Sequence, residues 1–120
     1  MIPSLKQIII AILLLVAVDA VWLLTAGRYA IGMTERIQGS PVSFRFLPAL
    51  VVYVALAYLI YQVNSVQDAT LLGAATYAVY DFTNLTILKK YELGMAAADT
   101  LWGGALFAIV YTIIHRFFKL

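Results

Sequence analysis

Three aspartates stand inside otherwise apolar runs of this chain: Asp19, Asp81 and Asp99. A charge in hydrocarbon costs at least ~2.5–3.5 kcal/mol on insertion scales, so an acid in that setting points first to function. The most polar stretch around any of them is Tyr77-Ala78-Val79-Tyr80-Asp81-Phe82-Thr83-Asn84. On a helix, Asp81 and Asn84 share one face, with Tyr77 one turn earlier. Phenols, a carboxylate and an amide at that spacing can hold a proton, a cation or a small polar solute. They can also serve as hydrogen-bonded links between helices. A short echo joins the other two acids: Asp19-Ala20-Val21-Trp22 and Asp99-Thr100-Leu101-Trp102.

The elements that position these residues are helices in lipid. Of the 120 residues, 64% are hydrophobic and 12% charged, where a soluble domain averages roughly a quarter charged. The mean hydropathy is +0.95. At ~20 residues per crossing, the length allows about four spans with short connections. They are expected over about 5–26, 46–62, 69–88 and 93–114. The expectation is therefore an all-α membrane protein, a four-transmembrane-helix bundle forming a single domain over residues 1–120. It would be multi-pass, with the lipid bilayer as its principal partner. The first run keeps its apolar character past Asp19 to Ala26 and reads as a retained span, not a cleaved leader. In the polar connection from Arg28 to Arg45, Tyr29, Met33, Arg36 and Ile37 recur at helical spacing. A continuation of the first helix, an interfacial helix and an ordered loop are all open there. Pro48 suits a first helical turn, and Ser65 or Asp68 can cap the third span. Gly73 and Gly103-Gly104 are expected where helices approach closely.

Alternation of direction gives these acids a common level. Asp19 and Asp81 each lie about seven residues before the end of their spans, and Asp99 about six after the start of its own. At ~1.5 Å per residue, all three fall ~10 Å below one membrane surface. Tyr53 falls at a similar depth. The expected pocket comprises Asp19, Trp22, Tyr53, Tyr77, Tyr80, Asp81, Asn84, Asp99 and Trp102. Trp22, nearer the surface, suits an aromatic belt, whereas Trp102 lies deeper and needs a partner for its indole N–H. Three carboxylates with no mid-span Lys or Arg need a shared proton, a bound cation, water or neighbouring donors. That points to proton, ion or small polar-solute transport or a channel. The alternatives are a lipid-active membrane enzyme and a structural or assembly protein. A homo-oligomer is compatible with each.

Other chemistries are excluded or unsupported. Cysteine is absent, which removes disulfides, thiolate metal sites and cysteine nucleophiles. The net charge of +2 gives no reason to expect nucleic acid. No mid-span Lys exists for a retinal Schiff base, and no hydrolase elbow, HExxH or phosphate-cradling glycine loop occurs. No cofactor is expected. The available oxygen set for Mg²⁺ or Ca²⁺ is Asp19, Asp81 and Asp99. Arg28, Arg36, Arg45, Lys89 and Lys90 flank the acid layer, against Lys6, Arg116 and Lys119 opposite. By the positive-inside rule the acid layer then faces the cytoplasm.

On these residues the chain resembles a family of small four-helix membrane proteins catalogued as domain of unknown function 2177. The resemblance rests on Asp19-Ala20-Val21-Trp22, on Tyr77-Ala78-Val79-Tyr80-Asp81-Phe82-Thr83-Asn84-Leu85 and on Asp99-Thr100-Leu101-Trp102-Gly103. Its spacing covers essentially the whole chain. Similar members often carry a Trp after the third helix, where this chain has Tyr91. They often carry a Thr shortly before the fourth-helix Asp, where it has Ala96-Ala97-Ala98. The resemblance implies a four-span bundle and no known activity.

Overall fold

The computed structural model describes residues 1–118 and is all-helical across them. Five helices follow in order: α1 Leu5–Leu24, α2 Ala26–Gln38, α3 Phe46–Ile60, α4 Val66–Ile87 and α5 Leu93–Phe117. Lys119, counted above among the flanking charges, lies outside the described residues.

Local sequence sets each boundary. Ser4 caps α1 in a capping box: its hydroxyl accepts from the Gln7 N–H at 3.2 Å and its own N–H donates to Gln7 Oε1 at 2.8 Å. At the other end, the Thr25 hydroxyl turns back onto the carbonyls of Val21 and Trp22, and the chain restarts as α2. The connection from Arg28 thus begins as a separate helix. Gly39 stops α2 in the left-handed conformation (φ 74°), which glycine adopts without steric cost. Pro48 sits in the first turn of α3. Of the two cap candidates for α4, Ser65 performs the role, accepting from the Asp68 N–H at 3.0 Å.

By length and apolarity, α1 and α5 are the helices able to cross a membrane. The 15 residues of α3 rise only ~22 Å, against ~30 Å of bilayer hydrocarbon. The 22 residues of α4 are long enough, but Thr70, Thr76, Tyr77, Tyr80, Asp81, Thr83, Asn84 and Thr86 lower its average.

The helices are arranged around an open ring. α4 and α5 form the most extensive pair, α5 packs on α1, and α1 packs on α3 and α2. Between α3 and α4 the contact is slight, so the ring has a seam there. The α4–α5 contact is glycine-dependent. A Cβ on Gly73 would stand 2.2 Å from the Gly103 carbonyl oxygen, and one on Gly103 would stand 2.4 Å from Tyr77 Cγ. The core fills the centre with Ala11, Leu15, Leu56, Ala57, Leu106, Phe107 and Val110. Beyond it, at the end holding Met1 and Phe118, the Tyr61 hydroxyl donates to the Gln7 carbonyl at 2.8 Å.

Candidate functional site

All three aspartates line one cavity of about 530 Å³ at the opposite end of the bundle, together with Trp22, Tyr77, Tyr80 and Tyr91. Asp19 is nearly buried and fully engaged. The Tyr53 hydroxyl of α3 donates to its Oδ2 at 2.6 Å, and the Trp102 indole of α5 donates to its Oδ1 at 2.9 Å. One carboxylate thus ties three helices together. Asp81 is 0% exposed. The Tyr91 hydroxyl donates to its Oδ1 at 2.6 Å, whereas its Oδ2 is buried with no partner. Beside it lies the half-buried carboxyl group of Asp99. The Asn84 amide adjoins the hydroxyls of Tyr80 and Tyr91.

Two expectations need correction. Trp22 does not point outward to an aromatic belt. It stacks on Trp102, with ring centroids 5.5 Å apart and planes 7° from parallel, and its indole lies beside Asp99. The stack hides more apolar surface than a lone indole at the interface would. The three acids also fail to make a metal-ligand set: among the described residues, no group of three Asp, Glu or His side chains could hold an ion. Asp19 is held aside by Tyr53 and Trp102, leaving Asp81 and Asp99 as a pair.

Two features escaped the sequence reading. Tyr91 lies just past Lys89-Lys90, where a tyrosine looks interfacial, yet it turns inward to Asp81. Burial, then the hydrogen bond to Asp81, raises its hydroxyl above the usual phenol range. The group therefore remains a donor throughout the physiological pH range. The second feature is a lid. Gly27, Ala30, Met33 and Thr34 of α2, with Val42 and Phe44 beyond it, line the cavity mouth. Glu92 holds this lid down. Its carboxylate accepts from the Tyr29 hydroxyl and from Arg36 at 3.0 Å, while its N–H donates to Met33 Sδ at 3.4 Å. The following loop folds back as the Val42 N–H donates to Glu35 Oε2 at 3.0 Å. With both partners of the ion pair partly exposed, the pair contributes about 0–1 kcal/mol. Glu92→Ala is accordingly expected to leave thermal stability nearly unchanged while accelerating amide hydrogen exchange in α2 selectively. Exchange mass spectrometry reads both α2 and the helices below it.

A family model described as "Predicted membrane protein (DUF2177)" matches residues 4–115. The chain belongs to that family. The match spans α1 through nearly all of α5, so every acid of the cavity falls within it. No curated protein and no solved structure matches. This family member is thus a membrane protein whose activity has to be argued from its own side chains.

Chemically, the cavity offers acceptors. The donors of Tyr53 and Trp102 are already committed to Asp19, and that of Tyr91 to Asp81. Among the described residues, no Lys or Arg lines it. Below, the apolar core packs directly against Tyr53, Tyr77 and Trp102, so the polar space ends there.

Proposed function

We propose that this protein is a multi-pass, four-span bundle that binds a proton or a small cationic solute between Asp81 and Asp99 and carries it across the bilayer. Crossing by α3 and α4 is supported by what they bury. α3 has no charged residue between Phe46 and Ile60, and the mid-helix acid of α4 is wholly enclosed. The longest dimension, 45 Å, matches the ~40–45 Å of a bilayer with its headgroups. Arg28 and Arg36 are exposed and Met33 is buried, as suits a helix lying at the interface.

The observation that carries the solute reading is Asp81 Oδ2, buried without a partner beside a second carboxyl group. Like charges so placed need a proton or a cation between them. The orphaned acceptor calls for a donor. Because the core closes the polar space on one side, the reading is a carrier that rearranges, not a standing pore. A structural reading is favoured at Asp19, which is satisfied by two helices at once. The two readings divide the acids: Asp19 links, while Asp81 and Asp99 bind.

Proteoliposomes test this. With a pH-sensitive dye inside, the wild type is expected to move protons, alone or in exchange for an added cation, and Asp81→Asn is expected to lose that flux while remaining folded. The reading fails if wild-type vesicles pass no protons, Na⁺, K⁺, Ca²⁺ or methylammonium and Asp81→Asn melts early.

A further inference from the structure

The seam between α3 and α4 holds a second cavity, of about 340 Å³, lined by Val52 and Leu56 on one side, Thr76, Tyr77 and Tyr80 on the other, and Asp99 at the back. Asp99, Tyr77 and Tyr80 line the acidic chamber as well. Asp99 therefore borders both spaces. The first lies under α2, and the second lies between α3 and α4, a side that faces acyl chains if both helices cross the bilayer as proposed above. Its volume lies within the ~300–1,000 Å³ of small-molecule sites.

We infer that the chamber takes a single-chain amphipathic primary ammonium, its head between Asp81 and Asp99 and its alkyl tail in the α3–α4 seam, entering from the lipid. This rests on the cation-site reading above and specifies its ligand. Each part of the ligand answers one observation. The cationic head answers the paired carboxyl groups. Three N–H donors, as opposed to a methylated nitrogen, answer the partnerless, fully buried Oδ2 of Asp81. The tail answers a crevice whose exposed wall is mostly carbon, from Val52, Leu56 and the apolar parts of Thr76, Tyr77 and Tyr80. A phosphate-bearing headgroup is disfavoured because no Lys or Arg lines the chamber among the described residues. A bare divalent ion is disfavoured because the acids do not converge as a ligand set.

The chain reports its own occupancy. Both of its tryptophans, Trp22 and Trp102, belong to the site. In phosphatidylcholine nanodiscs, decylammonium is expected to change their emission saturably. Decyltrimethylammonium, unable to donate, is expected to bind at least about tenfold more weakly. Ethylammonium, lacking the tail, should bind detectably but more weakly than decylammonium after correction for membrane partition. Asp81→Asn and Asp99→Asn should abolish both primary-ammonium responses. Val52→Phe and Thr76→Leu, which fill the seam from opposite helices, should weaken decylammonium and spare ethylammonium; unchanged circular dichroism establishes their folding.

If ethylammonium and decylammonium bind alike and neither seam variant matters, the lateral tail site is overturned while the cation site stands. If no ammonium perturbs the tryptophans and the flux assay is also silent, both readings fall. If native mass spectrometry shows a dimer that the seam variants dissociate, a second copy occupies the seam and the inference is overturned.

Discussion

Gly73→Ala is expected to destabilise the protein by about 1–3 kcal/mol or more, the usual cost of overpacking a tight interface. The added methyl group would meet the Gly103 carbonyl oxygen at 2.2 Å and Phe107 Cβ at 2.7 Å. Neither neighbour is the free end of a flexible side chain, so the helices must separate. Lipid offers little hydrophobic drive to hold them together otherwise, and close backbone contact is much of what joins helices there. The consequence extends to the site, because the α4–α5 pairing holds Asp81 of α4 against Asp99 of α5. Loss of ammonium response should therefore accompany loss of stability. Gly94→Ala is the control: nothing stands within 4 Å of its added Cβ, and alanine there is expected to be neutral or mildly stabilising. Thermal unfolding in one detergent compares the two. Equal melting of wild type and Gly73→Ala would mean that α4 and α5 do not pack at this distance.

That the three acids share one level of the bundle, where they line one cavity, was legible because it needs only helix rise and alternating direction. Asp19, Asp81 and Asp99 could be assigned one layer without any contact being known, and the small residues at Gly73 and Gly103 announced the tight pair. Partner choice was not legible. Tyr53 and Trp102 reach Asp19 across large sequence separations, and periodicity does not encode which neighbour a polar group finds. Trp22 was read by distance from the surface, a criterion that ignores an inward turn, and Tyr91 stands outside the spans, where no periodicity points it at an acid. The lid needed Tyr29 and Arg36 to meet Glu92, and local pattern left helix and loop equally open there. The low hydropathy of α4 comes from polar residues of two kinds: Asp81 is buried and Tyr77 half-buried in the bundle, while Tyr80, Thr83 and Thr86 stay exposed. The seam is invisible in any one helix, since it exists because α3 packs on α1 and makes no more than slight contact with α4.

The division of labour among the acids predicts opposite stability effects from neighbouring substitutions. Asp19→Ala strands the Tyr53 hydroxyl and the Trp102 indole N–H, which both donate to it. An unsatisfied buried donor costs ~1–3 kcal/mol, so a loss of ~2–4 kcal/mol is expected, with α1, α3 and α5 loosened together. Asp81→Asn behaves differently. The amide oxygen still accepts from Tyr91, and the amide N–H₂ replaces the partnerless Oδ2 with a donor facing Asp99. One unpaired carboxylate leaves the interior and a hydrogen bond is gained, so stability should be unchanged or higher. Flux and ammonium binding should nonetheless disappear, because an amide neither titrates nor attracts a cation. Melting curves in detergent, paired with flux in liposomes, read the two axes separately. The expected order of stability is Asp19→Ala well below wild type, and wild type at or below Asp81→Asn. If Asp81→Asn is the more damaging of the two, Asp81 is the structural link, and the assignment of a solute to its free oxygen is wrong.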